Sequence, residues 1–145
     1  MPSDLHLYAQ DIADLEIMSA AVQDALVKAG DLVYDAKARR FTAILARFRW
    51  ESAGGHGPYE RIASGLAFDS VLRVRTRHLR RDEPDAVADI LALKFDADEE
   101  PPGGVVRLVL AGDGEIALDV ECLDATLADV GAAWPTPRRP DHERA

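Results

Sequence analysis

Hydrophobic and polar residues change their period twice along the chain. Leu5–Tyr8 predicts a short strand, and between Ile12 and Val22 apolar residues recur at helical spacing behind Asp11, a residue type that caps helix N-termini. From Ala25 onward the period becomes two, which is typical of strands with one buried face. The pattern therefore predicts a strand, a helix and then a succession of strands.

Short turns separate the predicted strands. Phe41–Trp50 is apolar on both faces in its first half, which predicts a central strand or one with a bulge. Gly112-Asp-Gly114 predicts the tight turn of a hairpin, because glycine accepts the positive φ angles of such turns. The other predicted strands are Ala25–Ala29, Leu32–Tyr34, Arg61–Asp69, Val71–Leu79, Asp89–Asp96, Val105–Leu110 and Glu115–Glu121.

The last apolar positions return to helical spacing. Leu123, Leu127 and Val130 predict a C-terminal helix that ends near Gly131. We therefore expect an α+β fold, mainly a curved antiparallel sheet or partly closed barrel of roughly seven or eight strands, with an N-terminal and a C-terminal helix. Residues 1–134 are expected to form one globular domain, and the proline-rich residues 135–145 a mobile tail.

This order of elements resembles the pleckstrin-homology-like superfold, a strand meander plugged by a final helix. The resemblance concerns the fold and carries little about function.

Composition agrees with a folded domain and limits the available chemistry. The 145 residues are 48% hydrophobic and 30% charged. A single cysteine, Cys122, excludes an internal disulfide. The N-terminus lacks a signal-peptide pattern, and no apolar run approaches the length of about 20 residues that spans a bilayer. We therefore expect a cytoplasmic protein without a membrane span.

Charge is segregated along the chain. The net charge is −9, yet residues 37–81 contain eleven basic and three acidic residues between two acidic ends. Overall acidity argues against a dedicated nucleic-acid binder. The basic segment of residues 37–81 is nevertheless compatible with a phosphate-bearing partner.

A row of arginines gives this basic segment a geometry. Arg73, Arg75 and Arg77 are two residues apart on a predicted strand, so their side chains project from one face at intervals of about 6.5–7 Å. Guanidinium groups bind phosphates and carboxylates through paired hydrogen bonds. These three residues are therefore candidate ligand-binding residues, and Arg47 and Arg49 extend the set if their strand is a neighbour.

The same arginines have two other interpretations. They can pair with acidic residues on an adjacent strand, such as Glu115, Asp119 and Glu121. They can also discourage aggregation at a sheet edge, as charged side chains do. The sequence leaves these interpretations open.

Other chemistry-bearing residues form no recognisable motif. Gly54-Gly-His56-Gly57 is a glycine-rich loop without the following helix that phosphate-binding loops need, so His56 is a candidate only if this loop is a lid or a catalytic element. The four histidines lack metal-ligand spacing, and Glu121 and Asp124 flank Cys122, which disfavours its thiolate. We predict no catalytic residue, no metal site and no cofactor.

Seven segments of the chain carry a family resemblance: Gly30–Tyr34, Arg39–Phe41, Arg47–Glu51, Phe68–Arg75, Leu118–Asp124, Leu127–Asp129 and the tail Arg139–His142. They resemble the signatures of a bacterial family known only as a domain of unknown function, whose members are small cytoplasmic proteins. The likeness covers residues 5–142. It implies no activity, cofactor or catalytic residue.

Taken together, the sequence favours a small binding or interaction module that recognises an acidic protein segment or an anionic small molecule through its arginines. The alternative is a small enzyme whose site combines His56, arginines and scattered carboxylates. A homodimer formed through apolar strands is compatible with either.

Overall fold

The structure is a computed structural model that describes residues 5–52, 59–137 and 140. Within them the chain forms ten strands, one α-helix and one 3-10 turn, and no described helix has both the length and the apolar character to cross a membrane. The strands are β1 His6–Ala9, β2 Ala25–Asp35, β3 Arg40–Phe48, β4 Tyr59–Phe68, β5 Val71–Arg77, β6 Val87–Ala97, β7 Gly104–Leu110, β8 Gly114–Val120, β9 Ala125–Asp129 and β10 Trp134–Thr136. The helix α1 is Ile12–Val22, and the 3-10 turn is Trp50–Ser52.

All the strands join one antiparallel sheet in the order β1-β9-β4-β3-β2-β6-β7-β8-β5, with β10 beside the start of β4. The central position of β3 confirms the prediction made from its two apolar faces. The described ladder does not close, because β1 and β5 are its two ends.

Helix α1 begins and ends where the periodicity predicts. The Asp11 carboxylate accepts a hydrogen bond from the Asp14 amide at 2.8 Å, which caps the first turn. Leu15, Met18 and Val22 are buried and belong to the same core as the inward residues of the sheet. The helix therefore packs against the buried face of the sheet.

Ser19, which lies on α1 between the buried residues Met18 and Val22, also has a structural role. Ser19 Oγ accepts a hydrogen bond of 2.8 Å from the Leu93 amide, next to the point where the register between β6 and β7 shifts. The paired residues of β2 reach only as far as Ile90 of β6, so Leu93 lies past the end of β2, and the serine hydroxyl satisfies its backbone amide there.

The predicted C-terminal helix is wrong. Residues 125–129 form β9, which pairs with β1 and β4, and Ala125 and Leu127 are buried. Leu123 and Leu127 are four residues apart, a spacing that fits a strand as well as a helix, so pairing with two neighbouring strands decides the conformation. The fold is therefore a ten-stranded, unclosed antiparallel sheet with a single α-helix among the described residues, not a sheet flanked by two helices.

The pleckstrin-homology-like analogy loses its basis with that helix, since it depended on a final helix that plugs the meander. The expected tail from Pro135 stays a prediction. Pro135 and Thr136 belong to β10, and most of the later residues lie outside the described part of the chain.

A two-residue link, Asp69-Ser70, carries the chain from β4 to β5 at the far end of the sheet. The Val71 amide donates to the Arg39 carbonyl at 2.8 Å, and the Tyr34 hydroxyl donates to the Val71 carbonyl at 2.8 Å. β5 therefore starts against the turn between β2 and β3 without joining either strand in the ladder. A groove lies between β5 and the second half of β2.

Candidate functional site

The predicted arginine row exists on an exposed face of β5. Arg73, Arg75 and Arg77 lie opposite Asp119, Ala117 and Glu115 of β8, respectively. Their side chains are 67%, 47% and 55% exposed. Because β5 is the last strand of the sheet, the row runs along an edge that solvent reaches.

One carboxylate serves two of these arginines. Asp119 Oδ2 accepts from Arg73 Nε at 2.8 Å, and Asp119 Oδ1 accepts from Arg75 Nη2 at 2.7 Å. Arg77 lies 3.5 Å from the exposed carboxylate of Asp113. Within the described part of the chain, three guanidinium groups thus share two carboxylates.

This sharing leaves hydrogen-bond donors available. Arg73 uses only its Nε in the described contacts, and Arg75 only its Nη2. The remaining N–H groups of both side chains make no hydrogen bond in these described contacts, and the two side chains are half to two-thirds exposed. The row can therefore receive an additional anion without breaking its contacts to Asp119.

The electrostatics of Asp119 follow from this arrangement. Partial burial raises its pKa, but the hydrogen bonds from Arg75 and Arg73, together with their positive charges, outweigh burial and hold the pKa below its usual value. Asp119 is therefore ionised at neutral pH and neutralises part of the charge of the row.

A groove of about 480 Å³ adjoins the row, a volume within the range of small-ligand sites. The core side chains Phe41 and Ile116 contribute to its floor. Its polar lining comprises Arg73, Arg81, Tyr34 and Thr76, and its other lining side chains are apolar. The remaining lining residues are Ala29, Leu32, Ala36, Leu72, Val74 and Leu79.

The structure does not bring Arg47 and Arg49 together with the row. They belong to β3 or follow it, and β3 pairs with β2 and β4, whereas β5 pairs with β8. Because their strand does not neighbour β5, Arg47 and Arg49 do not extend the arginine row. Arg49 instead forms an ion pair with Glu60 and lies 3.9 Å from Glu51.

Arg47 is fully buried and bound on every side. Its Nε and Nη2 donate to the Asp129 carboxylate at 3.1 and 2.9 Å, and its Nη1 and Nη2 donate to Glu51 at 2.9 and 2.8 Å. A fifth hydrogen bond of 3.4 Å goes to the Phe48 carbonyl, and Ser64 Oγ donates to Asp129 at 2.6 Å. All five guanidinium hydrogens have acceptors, which is the arrangement of a structural cluster.

The pKa values of this cluster agree with that role. Burial lowers the pKa of Arg47, but hydrogen bonds from its guanidinium to Glu51 and Asp129 raise it above the usual value. The same bonds lower the pKa of Glu51 against the opposing effect of burial. Sequence reasoning missed Asp129 and Ser64 as partners, although Arg47 shares the inward parity of Phe41 on β3.

The acidic residues considered for cross-strand pairing are distributed over different partners. Asp119 pairs with the row, Glu115 pairs with Arg107 at 3.0 Å, and Glu121 pairs with Arg39. Cross-strand pairing therefore exists, and for the row it engages one of the three carboxylates.

The other residues considered in the sequence analysis, His56 and Cys122, do not form a site among the described residues. His56 lies outside the described residues. Cys122 is half-buried. Among the described residues, no group of three or more histidine, cysteine, aspartate or glutamate side chains is placed to hold a metal ion.

The chain was compared with models of known protein families. A family model described as "Protein of unknown function (DUF2948)" matches residues 5–142, which confirms the resemblance to a domain of unknown function. A search of curated proteins finds no match.

Proposed function

The chain belongs to the DUF2948 family, and we propose that it is a binding module that holds an anionic partner on Arg73, Arg75 and Arg77. One observation carries this proposal: three exposed guanidinium groups on one face share two carboxylates among the described residues. The site has a positive excess and free donors, so it complements phosphate or carboxylate oxygens.

The contrast with Arg47 supports this interpretation. Arg47, which has a structural role, is buried, and all its N–H groups donate to acceptors. Arg73 and Arg75 are half to two-thirds exposed, and most of their N–H groups are free within the described chain. Exposed ion pairs contribute little to stability, so folding alone gives a weak reason for three aligned arginines.

The adjoining groove supports a partner with an apolar portion. Leu72 is 50% exposed, and Val74 and Leu32 are half-buried, so the groove presents apolar surface next to the charged row. Covering such surface is favourable. An anion attached to an apolar body therefore fits the site better than a free inorganic ion.

Charge reversal tests the proposal. The variant Arg73→Glu/Arg75→Glu/Arg77→Glu should bind inorganic pyrophosphate at least roughly tenfold more weakly than the parent chain in calorimetric titration at low salt. A matched variant, Lys28→Glu/Lys37→Glu/Lys94→Glu, changes the net charge equally at exposed positions outside the row. It should lose less than about threefold.

Circular dichroism shows whether the reversal variant folds. If it unfolds, the neutral variant Arg73→Gln/Arg75→Gln/Arg77→Gln replaces it, and the expected loss of affinity is the same in direction. Equal affinities for the parent, the row variant and the lysine variant contradict the proposal.

Two finer proposals accompany the module. A cytoplasmic location agrees with the reducing compartment that one unpaired cysteine suggests.

Association of two copies is suggested by apolar side chains on the outer sheet surface: Ile44, Val87 and Trp134 are 48%, 59% and 40% exposed around an apolar depression of about 330 Å³.

A further inference from the structure

We propose that the partner of the arginine row is an extended polypeptide segment in which acidic and apolar residues alternate, and that it binds by adding a strand to the free edge of β5. This inference rests on the proposed function, since it names the partner class for the same site. Strand addition at an exposed sheet edge is a general mode of peptide recognition.

The first support is the free edge itself. Among the described residues, the ladder partner of β5 is β8 alone, so its other edge carries unpaired backbone groups. The Val71 amide and carbonyl are already used by Arg39 and Tyr34. The available edge therefore runs from Leu72 to Arg77.

The second support is the match between the row and an added strand. In an antiparallel pair, directly opposed side chains lie about 4.5–5.5 Å apart, and alternate residues project from the same face. Arg73, Arg75 and Arg77 span about 13 Å at that periodicity. Acidic residues at every second position of the segment would thus meet one guanidinium each.

The third support is the opposite face of the same edge. Leu72, Val74 and Thr76 line the groove, and Leu32 and Tyr34 line its far wall. The residues of the segment between its acidic positions would point into this groove. Apolar side chains at those positions bury the exposed apolar surface, whereas charged ones would lose their hydration.

The far wall also restricts the geometry. Asp31 and Asp35 are exposed on β2, and the Asp35 carboxylate accepts from the Lys37 and Ala38 amides at 3.1 Å. These carboxylates repel an acidic segment placed along β2. The segment therefore pairs with β5 and uses β2 only through Leu32 and Tyr34.

A pair of labelled heptapeptides tests the inference by fluorescence anisotropy. One alternates four glutamates with three valines, and the other has the same composition with its glutamates and valines in separate blocks. The alternating peptide should bind at least roughly tenfold more tightly, since only it places charges and apolar groups on opposite faces of a strand. The Arg73→Glu/Arg75→Glu/Arg77→Glu variant should lose this binding, and the Lys28→Glu/Lys37→Glu/Lys94→Glu variant should keep it.

A backbone-modified peptide tests strand addition separately from charge. Methylation of alternate amide nitrogens that would face β5 removes the donors and leaves the side-chain pattern intact, so the alternating peptide should lose its affinity. Hydrogen exchange should slow, when the unmodified peptide is bound, at those amides between Leu72 and Arg77 that point away from β8.

The outcomes separate this inference from the proposed function. If the block and methylated peptides bind as tightly as the alternating one, or if pyrophosphate binds the row and no peptide does, strand addition is wrong and the anion site remains. If neither pyrophosphate nor a peptide depends on the row, both proposals are wrong.

Discussion

Arg47 and Asp129 form a fully buried bidentate ion pair, with 3.1 Å from Nε to Oδ1 and 2.9 Å from Nη2 to Oδ2. The pair joins β3 to β9 across β4, so it fixes the strand that was expected to be a helix. Its partners also include Glu51 and Ser64, which leaves no donor of Arg47 without an acceptor.

Removing one partner of this pair should be strongly destabilising. Asp129→Ala leaves the Arg47 charge buried beside Glu51 alone, and breaking such pairs costs about 3–5 kcal/mol. Urea unfolding measures the loss. Glu83→Ala, which removes an exposed carboxylate 3.4 Å from Arg80, is the control and should leave the free energy of unfolding nearly unchanged. Similar small effects of both substitutions would contradict a structural role for the cluster.

Glu51 should make stability depend on acid pH. Hydrogen bonds from Arg47 hold its pKa below the usual value of 4.5, although burial opposes them. The pKa is thus lower in the folded than in the unfolded state, so its contribution is present above about pH 4.5 and is lost as the pH falls through the lower folded value. Glu51→Gln should be less stable than the parent at pH 7, with a deficit that shrinks below about pH 4. Urea unfolding between pH 7 and pH 3 measures it; a constant deficit would show that the charge of Glu51 is irrelevant.

Asp119→Asn should increase anion affinity. The substitution removes the carboxylate that occupies Arg73 and Arg75 and keeps the side-chain size, so the row gains positive charge. We expect pyrophosphate to bind roughly threefold to tenfold more tightly in calorimetric titration. Glu83→Gln, which removes the exposed partner of Arg80, is the control for net charge. Unchanged or weaker binding by the Asp119 variant would indicate that the arginines serve only their internal ion pairs.

Light scattering after size-exclusion chromatography tests the proposed association of two copies. If the outer apolar surface mediates it, Ile44→Lys/Val87→Lys should change a dimeric mass to a monomeric one, because lysines at its centre would be buried without partners. The far-ultraviolet circular dichroism should not change, since both side chains are exposed. A monomeric parent chain would refute association through this surface.

Strand positions could be predicted from sequence wherever two conditions coincide. In β8, the large apolar residues alternate over the full strand and a glycine turn marks its start; Gly112 and Asp113 have φ angles of 76° and 62° at the predicted hairpin turn. Periodicity has one interpretation in such segments. Short segments such as β9 and β10, with five and three residues, contain too few positions to distinguish period two from period 3.6.

The site could be predicted only in part. The common face of Arg73, Arg75 and Arg77 could be predicted, because alternate side chains of a strand project from the same side. The burial of Arg47 was also implied by its parity with Phe41 and Leu45. Its partner Asp129 is 82 residues away, and the groove joins β2 to β5, so both depend on the order of strands in the sheet, which no local pattern contains.

Nuclear magnetic resonance mapping of the bound anion tests the central claim most directly. Titration of the isotope-labelled chain with pyrophosphate at low salt should shift the backbone amides of β5 and the guanidinium resonances of Arg73, Arg75 and Arg77, and the shifts should weaken as salt rises. The Arg47 guanidinium, buried with its two carboxylates, should not respond. Shifts centred elsewhere on the chain, or no saturable shift on β5, would contradict the assignment of the arginine row as the binding surface.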